Sequence, residues 1–313
     1  MAACGKAELV VALVNNMPDA AKRATKHQFA SLMAAAAQAM SVRLHLVAID
    51  QFQAKTDAAF RLLESVRPDG LIVTGDEPQG AAMANEPLVP ALARLMEWAA
   101  GNTLAAAWSC LAAHAAVFAL DGIERRRLRH KLSGMYECTA SSDYPLLTGL
   151  TQTWLTPHSR QNGLDEAKLW GKGYTVLSVG RQVGADMFLK PVRGSLFLFL
   201  QGHPEYEPDS LYKEYRRDVK RFLTGERPDH PAVPVRYFGR RADVKLNALR
   251  REVHDLPPNA VLAGIDAAFA AGPAHPRNPA ATRLYANWLT LVAERKTQRA
   301  VPSWHDTAQR GAA

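Results

Sequence analysis

Short apolar runs alternate with longer amphipathic ones along the N-terminal part of the chain. Residues 8–15 (ELVVALVN), 44–49 (LHLVAI), 70–75 (GLIVTG) and 103–109 (TLAAAWS) are mostly apolar and bounded by turn residues, the pattern of strands buried on both faces of a parallel sheet. Between them, Phe29, Leu32, Met33, Ala36 and Met40 recur at the spacing of one helix face, and so do Leu88, Leu92, Leu95, Met96 and Ala99. The alternation predicts an α/β fold, a doubly wound and mostly parallel sheet with helices on both faces. Residues 174–180 (YTVLSVG) predict a further strand, and residues 185–203 (ADMFLKPVRGSLFLFLQGH) a hairpin turning near Arg193 and Gly194. Residues 254–281, rich in Pro, Gly and Ala, predict a loop or irregular arm, and the residues after Trp304 a frayed tail.

Composition narrows the class. A chain of 313 residues and 34.2 kDa, 48% hydrophobic and 22% charged, can bury the core of one large domain with or without an appendage. The expected layout is one domain over residues 1–300, its part from about residue 236 an appended helical or irregular segment, followed by a tail over 301–313. No apolar run is long enough to span a bilayer, and the first residues lack the charged start and cleavage pattern of a signal peptide. A cytoplasmic protein without membrane contact is expected. Three cysteines, Cys4, Cys110 and Cys138, lack CxxC spacing, so neither a disulfide framework nor a metal site is expected and a single reactive thiol is left open.

The formal charge of +8 is concentrated in residues 124–131 (ERRRLRHK) and 236–252 (RYFGRRADVKLNALRRE). Such clusters attract anions such as nucleotide phosphates. No nucleic-acid motif or aromatic stacking platform accompanies the second cluster, which reads as a solvated face rather than a nucleic-acid surface.

Two stretches carry chemistry. In LAAAWSCLAAHAAVFALDG an apolar strand runs into Cys110 and a helix starts at once. That is the plan of a nucleophile elbow, with the thiol at a helix N-terminus and the backbone N–H of Leu111 available to an oxyanion. Ala112 has the small size an elbow favours, whereas Trp108 does not, and free cysteines are commonly just buried. The second stretch is GHPEYEPDSLYKEYRRD, beginning at Gly202. Pro204 fixes its own φ and extends the residue before it, so His203 and Glu205 project to the same side. A thiol, an imidazole and a carboxylate delivered from separate strand ends make a nucleophile, base and orienter set.

The stretches NNMPD, DGLIVTG, WSCLAAHA, GIERRRLRHKLSGMYE, PHSR, GHPEYEPDSLYKEYRRD, VRYFG and LYANWL occur in the order found in the homoserine O-succinyltransferase family of methionine biosynthesis, and the resemblance runs from about Val10 to about Leu291. It implies a flavodoxin-like, class I glutamine amidotransferase-like fold and ping-pong acyl transfer from succinyl-CoA or acetyl-CoA to a hydroxy amino acid, with no permanently bound cofactor. By the same resemblance Cys110 is the acyl-thioester nucleophile, His203 the proton acceptor and Glu205 its orienting partner. Lys131, Ser159 and Arg217 are then substrate-binding residues. The donor-selecting position falls on Gln79, or on Gly80 if the proline is aligned; neither is the glutamate that goes with acetyl, which implies succinyl. Partners are small molecules, with a homodimer left open.

This sequence departs from the family at several points. MPDAAKR replaces a lysine-containing MPKK-like segment, leaving Lys22 as the nearest substitute beyond Asp19, and Leu111 and His114 stand where Trp and Gln are usual. His114 reads as a hydrogen-bonded core histidine before a pocket contact. Residues 240–281 have no close counterpart, which leaves the acceptor open between homoserine, serine and similar hydroxy amino acids. Two other readings share the fold: a class I amidotransferase glutaminase, against which stand the missing glycines beside Cys110 and the lack of a following synthetase domain, and a non-catalytic binding protein, against which stands the full set of site residues.

Overall fold

The computed structural model describes residues 8–300 apart from 41, 51, 53, 54, 81 and 273–277. Cys4 and the predicted tail lie outside the described residues. One nine-stranded sheet organises the chain: β1 (Glu8–Asn15), β2 (Arg43–Asp50), β3 (Gly70–Val73), β4 (Ala105–Ser109), β5 (Arg126–Ala140), β6 (Thr153–Gly163), β7 (Thr175–Gly180), β8 (Gly184–Val192) and β9 (Ser195–Leu200). Its order is β2-β1-β3-β4-β9-β8-β7-β5-β6. The half from β2 to β9 is parallel, and the strands from β9 to β6 pair antiparallel.

The parallel half follows the sequence pattern because its strands are covered on both sides. Along β1, Ala12 and Val14 pack into one core while Leu9, Val11 and Leu13 pack into the other, the period-two alternation of a pleated strand. The first core takes α2 (Thr56–Val66), α3 (Val89–Asn102) and α4 (Leu111–Asp121); the second takes α1 (Asp19–Met40) and the C-terminal helix α9 (Pro279–Ala300). Phe29, Tyr285 and Trp288 are wholly buried there, and fully burying a side chain such as phenylalanine stabilises by roughly 1.5–3 kcal/mol. The hairpin turns where predicted, with Arg193 at φ 51° between β8 and β9.

Two elements differ from the sequence reading. The basic cluster at residues 124–131 and the PHSR motif lie on the long strands β5 and β6, at the antiparallel edge of the sheet. Neither shows clean alternation, since β5 begins with mostly exposed arginines and its register with β6 shifts between Arg127 and Leu132. The stretch 254–281 is not simply a loop: Pro258–Ala270 forms helix α8, with Pro258 in its first turn and Val261, Ile265 and Ala268 buried. Proline at a helix start fixes φ without losing a needed hydrogen bond, and the alanines favour helix, so Pro and Ala content here marks a helix entry.

The chain beyond residue 236 supports the site. The remaining helices are α5 (Glu166–Gly171), α6 (Ser210–Leu223) and α7 (Arg240–Arg251). Leu211, Tyr215 and Val219 of α6 pack with Tyr237, Phe238, Leu246, Val261 and Ile265 in a separate apolar core, with Phe222 against it. One face of α6 is thereby pinned to α7 and α8, and the other is turned toward the cleft described next.

Candidate active site

Cys110 occupies the junction of β4 and α4, with φ 51° and ψ −114°. A non-glycine residue at positive φ costs about 1–3 kcal/mol and persists only where the surroundings enforce it. The enforcement is visible: the Cys110 N–H donates to Leu200 O at 2.8 Å, and Ser109 is in register with Leu200 across the β4–β9 pair. The strand that anchors the thiol turn is the one that continues through Gln201 and Gly202 to His203. Cys110 is half-buried, whereas Cys138 is fully buried and its thiol is pushed well up by desolvation and by Asp186.

His203 Nδ1 lies 2.8 Å from Glu205 Oε1, both side chains being nearly buried. The His203 N–H donates to Pro157 O at 2.8 Å, tying this segment to the PHSR strand β6, and the ring stacks on Tyr206 at 4.3 Å. Burial opposes charge on the imidazole, but the Glu205 carboxylate and the Cys110 sulfur together outweigh it and hold the group well above its usual value. Glu205 Oε2 and His203 Nε2 are buried without a well-formed hydrogen bond. Nε2 is therefore the ring atom left to exchange a proton with the thiol or a ligand.

These groups line a cleft of about 690 Å³ that also takes in Leu111, Lys131, Ser159 and Arg217. Lys131 Nζ lies 2.9 Å from Asp218 Oδ2, and Arg217 grips Asp218 Oδ1 through Nε at 3.0 Å and Nη2 at 2.9 Å. Arg217 Nη1 also reaches Glu77 at 3.1 Å, Arg221 reaches Glu77 at 3.4 Å and Arg227 reaches Asp218 at 3.3 Å. Four cations thus gather on two carboxylates, a local cluster that can meet an anionic group in a cleft whose lining also carries Asp76, Glu207, Asp209, Glu214 and Glu226. Ser159 Oγ and Tyr206 Oη both donate to Glu214 on α6.

The N–H of Leu111 opens α4 beside Gly75. A Cβ at position 75 would lie 2.8 Å from Leu111 N and 3.0 Å from Ala112 N, so glycine alone leaves room for an oxygen at those donors. Gln79 and Gly80 lie just past the cleft-lining residues Gly75, Asp76, Glu77 and Pro78. Their N–H groups donate to the buried Glu86 carboxylate at 3.0–3.1 Å, and Glu86 pairs with buried Arg125 at 2.5 Å. Lys22 is held by Asp19 at 2.5 Å, while its neighbours Met17, Ala21 and Ala24 line the cleft. His114 Nε2 lies 3.0 Å from Gln201 Oε1, and burial lowers this histidine to about 3. It is a neutral, hydrogen-bonded histidine at the cleft wall.

Sequence reasoning passed over Gly75, Glu214, Asp218 and Arg160. Glu214 is the residue on α6 that could have been found, since it stands one turn from Arg217 on the same non-apolar face. Asp218 is buried although it follows Arg217 directly, and no sequence signal marks it as the hub of the cations.

The fold is that of a glutamine amidotransferase-like α/β protein. A glutamine amidotransferase from Thermotoga maritima superposes with a TM-score of 0.52 at 12% identity, over 91% of this chain and 98% of that one. One from Methylobacillus flagellatus gives 0.50 at 15%, over 91% and 95%. Sequence resolves the class further. The profile of the homoserine O-succinyltransferase family matches residues 5–299. The homoserine O-succinyltransferase of Rhodopseudomonas palustris is 42% identical over 90% of this chain and 88% of its own, and that of Methylorubrum extorquens 41% over 92% and 88%. The chain belongs to the homoserine O-succinyltransferase family and is an acyltransferase.

Proposed function

We propose that this chain transfers a succinyl group from succinyl-CoA to the hydroxyl of homoserine, through a thioester on Cys110, in methionine biosynthesis. The observation that carries the reading is a cysteine on an enforced positive-φ turn, coupled to a buried His203–Glu205 pair. His203 takes the thiol proton, and the sulfur attacks the donor's carbonyl carbon. The oxyanion sits against the Leu111 N–H, in the space Gly75 leaves open. Collapse releases CoA, which takes the proton back from His203.

Once Cys110 is acylated its negative charge is gone, and one of the two groups that raise His203 goes with it. The imidazole then serves as base for the second half. It removes the proton of the acceptor hydroxyl, whose oxygen attacks the thioester and restores the cysteine. Arg217 and Lys131 supply the cations that a carboxylate needs, and Glu214, beside Ser159, supplies the anion that an ammonium needs. Gln79 and Gly80 border the acyl site, the lack of glutamate there supporting succinyl over acetyl. The local cluster of Lys131, Arg217, Arg221 and Arg227 supports an anionic donor such as acyl-CoA.

Incubation with succinyl-CoA alone tests the reading. The mass should rise by one succinyl group on the Cys110 peptide, and homoserine should discharge it. Labelling of Cys4 or Cys138 with Cys110→Ala fully active would overturn it, and preferential labelling by acetyl-CoA would overturn the donor.

A further inference from the structure

Arg160 closes the PHSR motif, and the mechanism above gives it no role. It is 4% exposed and lines the cleft with Cys110 and His203. Its Nε donates to His158 Nδ1 at 3.2 Å, Nη1 to Asn162 O at 2.6 Å and Nη2 to Val183 O at 2.6 Å. All three acceptors are neutral, and among the described residues no carboxylate lies within 4.0 Å of the guanidinium. Gly163 makes space for it, since a Cβ there would fall 2.8 Å from Nη1. A buried cation without a contacting counter-ion is costly to fold around, and its three tethers hold it in one place.

The groups facing it come from several elements. Tyr136 and Cys138 lie on β5, His158 on β6, Asp186 on β8, Cys110 at the junction of β4 and α4, and His114 on α4. Asp186 is engaged elsewhere, 3.1 Å from His158 Nε2 and 2.9 Å from Ser178 Oγ. Burial lowers both His114 and His158, so neither adds charge. Burial also lowers Arg160, and the first group that offsets this is Cys110, ahead of Asp186; arginine nonetheless keeps its proton. Cys138, His158 and Asp186 offer three donor atoms within 4.8 Å of one another, but a guanidinium hydrogen-bonded to His158 makes this a poor place for a metal cation.

We propose that Arg160 is a fixed, buried cation that stabilises negative charge on the Cys110 sulfur, while His203 supplies the movable proton. It acts through space and touches no substrate. The proposal rests on Cys110 being the nucleophile.

The test is the pH profile of Cys110 alkylation by iodoacetamide in the full chain, read on the Cys110 peptide by mass spectrometry. Arg160→Gln should move the midpoint up by about one pH unit, whereas Arg160→Lys should keep it close to wild type even where thermal stability falls. Asp186→Asn is close to isosteric and removes the nearby countercharge, so it should move the midpoint down; it carries the test if Arg160→Gln does not fold. A folded Arg160→Gln with the wild-type midpoint, or an Asp186→Asn midpoint that stays fixed or rises, overturns the proposal. Failure of the nucleophile assignment reads separately, as turnover that survives Cys110→Ala.

Discussion

His203 and Glu205 are joined by a 2.8 Å contact across Pro204, and the same imidazole is raised by both Glu205 and Cys110. Cys110→Ala should therefore lower the His203 value, followed by NMR titration of the ring, and Glu205→Gln should lower it further than Cys110→Ala. An imidazole held above the ~6.5 of the unfolded chain contributes stability that is fully present below that pH and is lost as pH rises through the folded value. Denaturant unfolding of Glu205→Gln should show a flatter decline across that window. In turnover, His203→Ala should cost on the order of a hundredfold or more, and Glu205→Gln less.

Arg217 and Lys131 meet at Asp218 rather than at the thiol. Arg217→Ala should leave acylation of Cys110 by succinyl-CoA nearly intact and slow its discharge by homoserine on the order of a hundredfold, as expected when a charged hydrogen bond to a carboxylate is lost. Rapid-quench mass spectrometry would show the thioester accumulating. Blocked acylation with normal discharge would instead assign Arg217 to the donor.

The buried Glu86–Arg125 pair holds the Gln79 and Gly80 amides. Breaking it in Glu86→Ala removes the carboxylate that pairs with a buried guanidinium, at a cost of about 3–5 kcal/mol. Thermal denaturation should show the loss, and the folded fraction should discriminate less between succinyl-CoA and acetyl-CoA because the segment proposed to select the donor is released.

His114 is neutral in the fold, its value lowered to about 3 by burial. The unfolded chain binds a proton near pH 6.5, so this residue's contribution is complete above that pH and is lost as pH falls toward 3. His114→Gln can keep a bond to Gln201 without titrating. Its unfolding free energy should fall less steeply between pH 6.5 and 4, and unchanged acid sensitivity would show that another group governs it.

The sequence by itself determined the parallel half of the sheet, the thiol turn and the His-Pro-Glu segment. Each is written in local chemistry: apolar runs buried on both faces, a strand passing straight into a helix at Cys110, and a proline that extends the residue before it. It also carried enough residue identity along its length to show the family. The rest needed tertiary structure because the partners are far apart in the chain. Asp218 gathers Lys131, Arg217 and Arg227 only once β5 and α6 are brought together, and α6 is held there by α7 and by α8, the latter in a stretch whose composition read as an irregular arm. Gly75 matters because Leu111 lies against it, and Arg160 because packing brings β6 to the cleft that Cys110 lines from the end of β4. Such relationships are distances between segments, and local periodicity and residue type carry no information about them until the chain is packed.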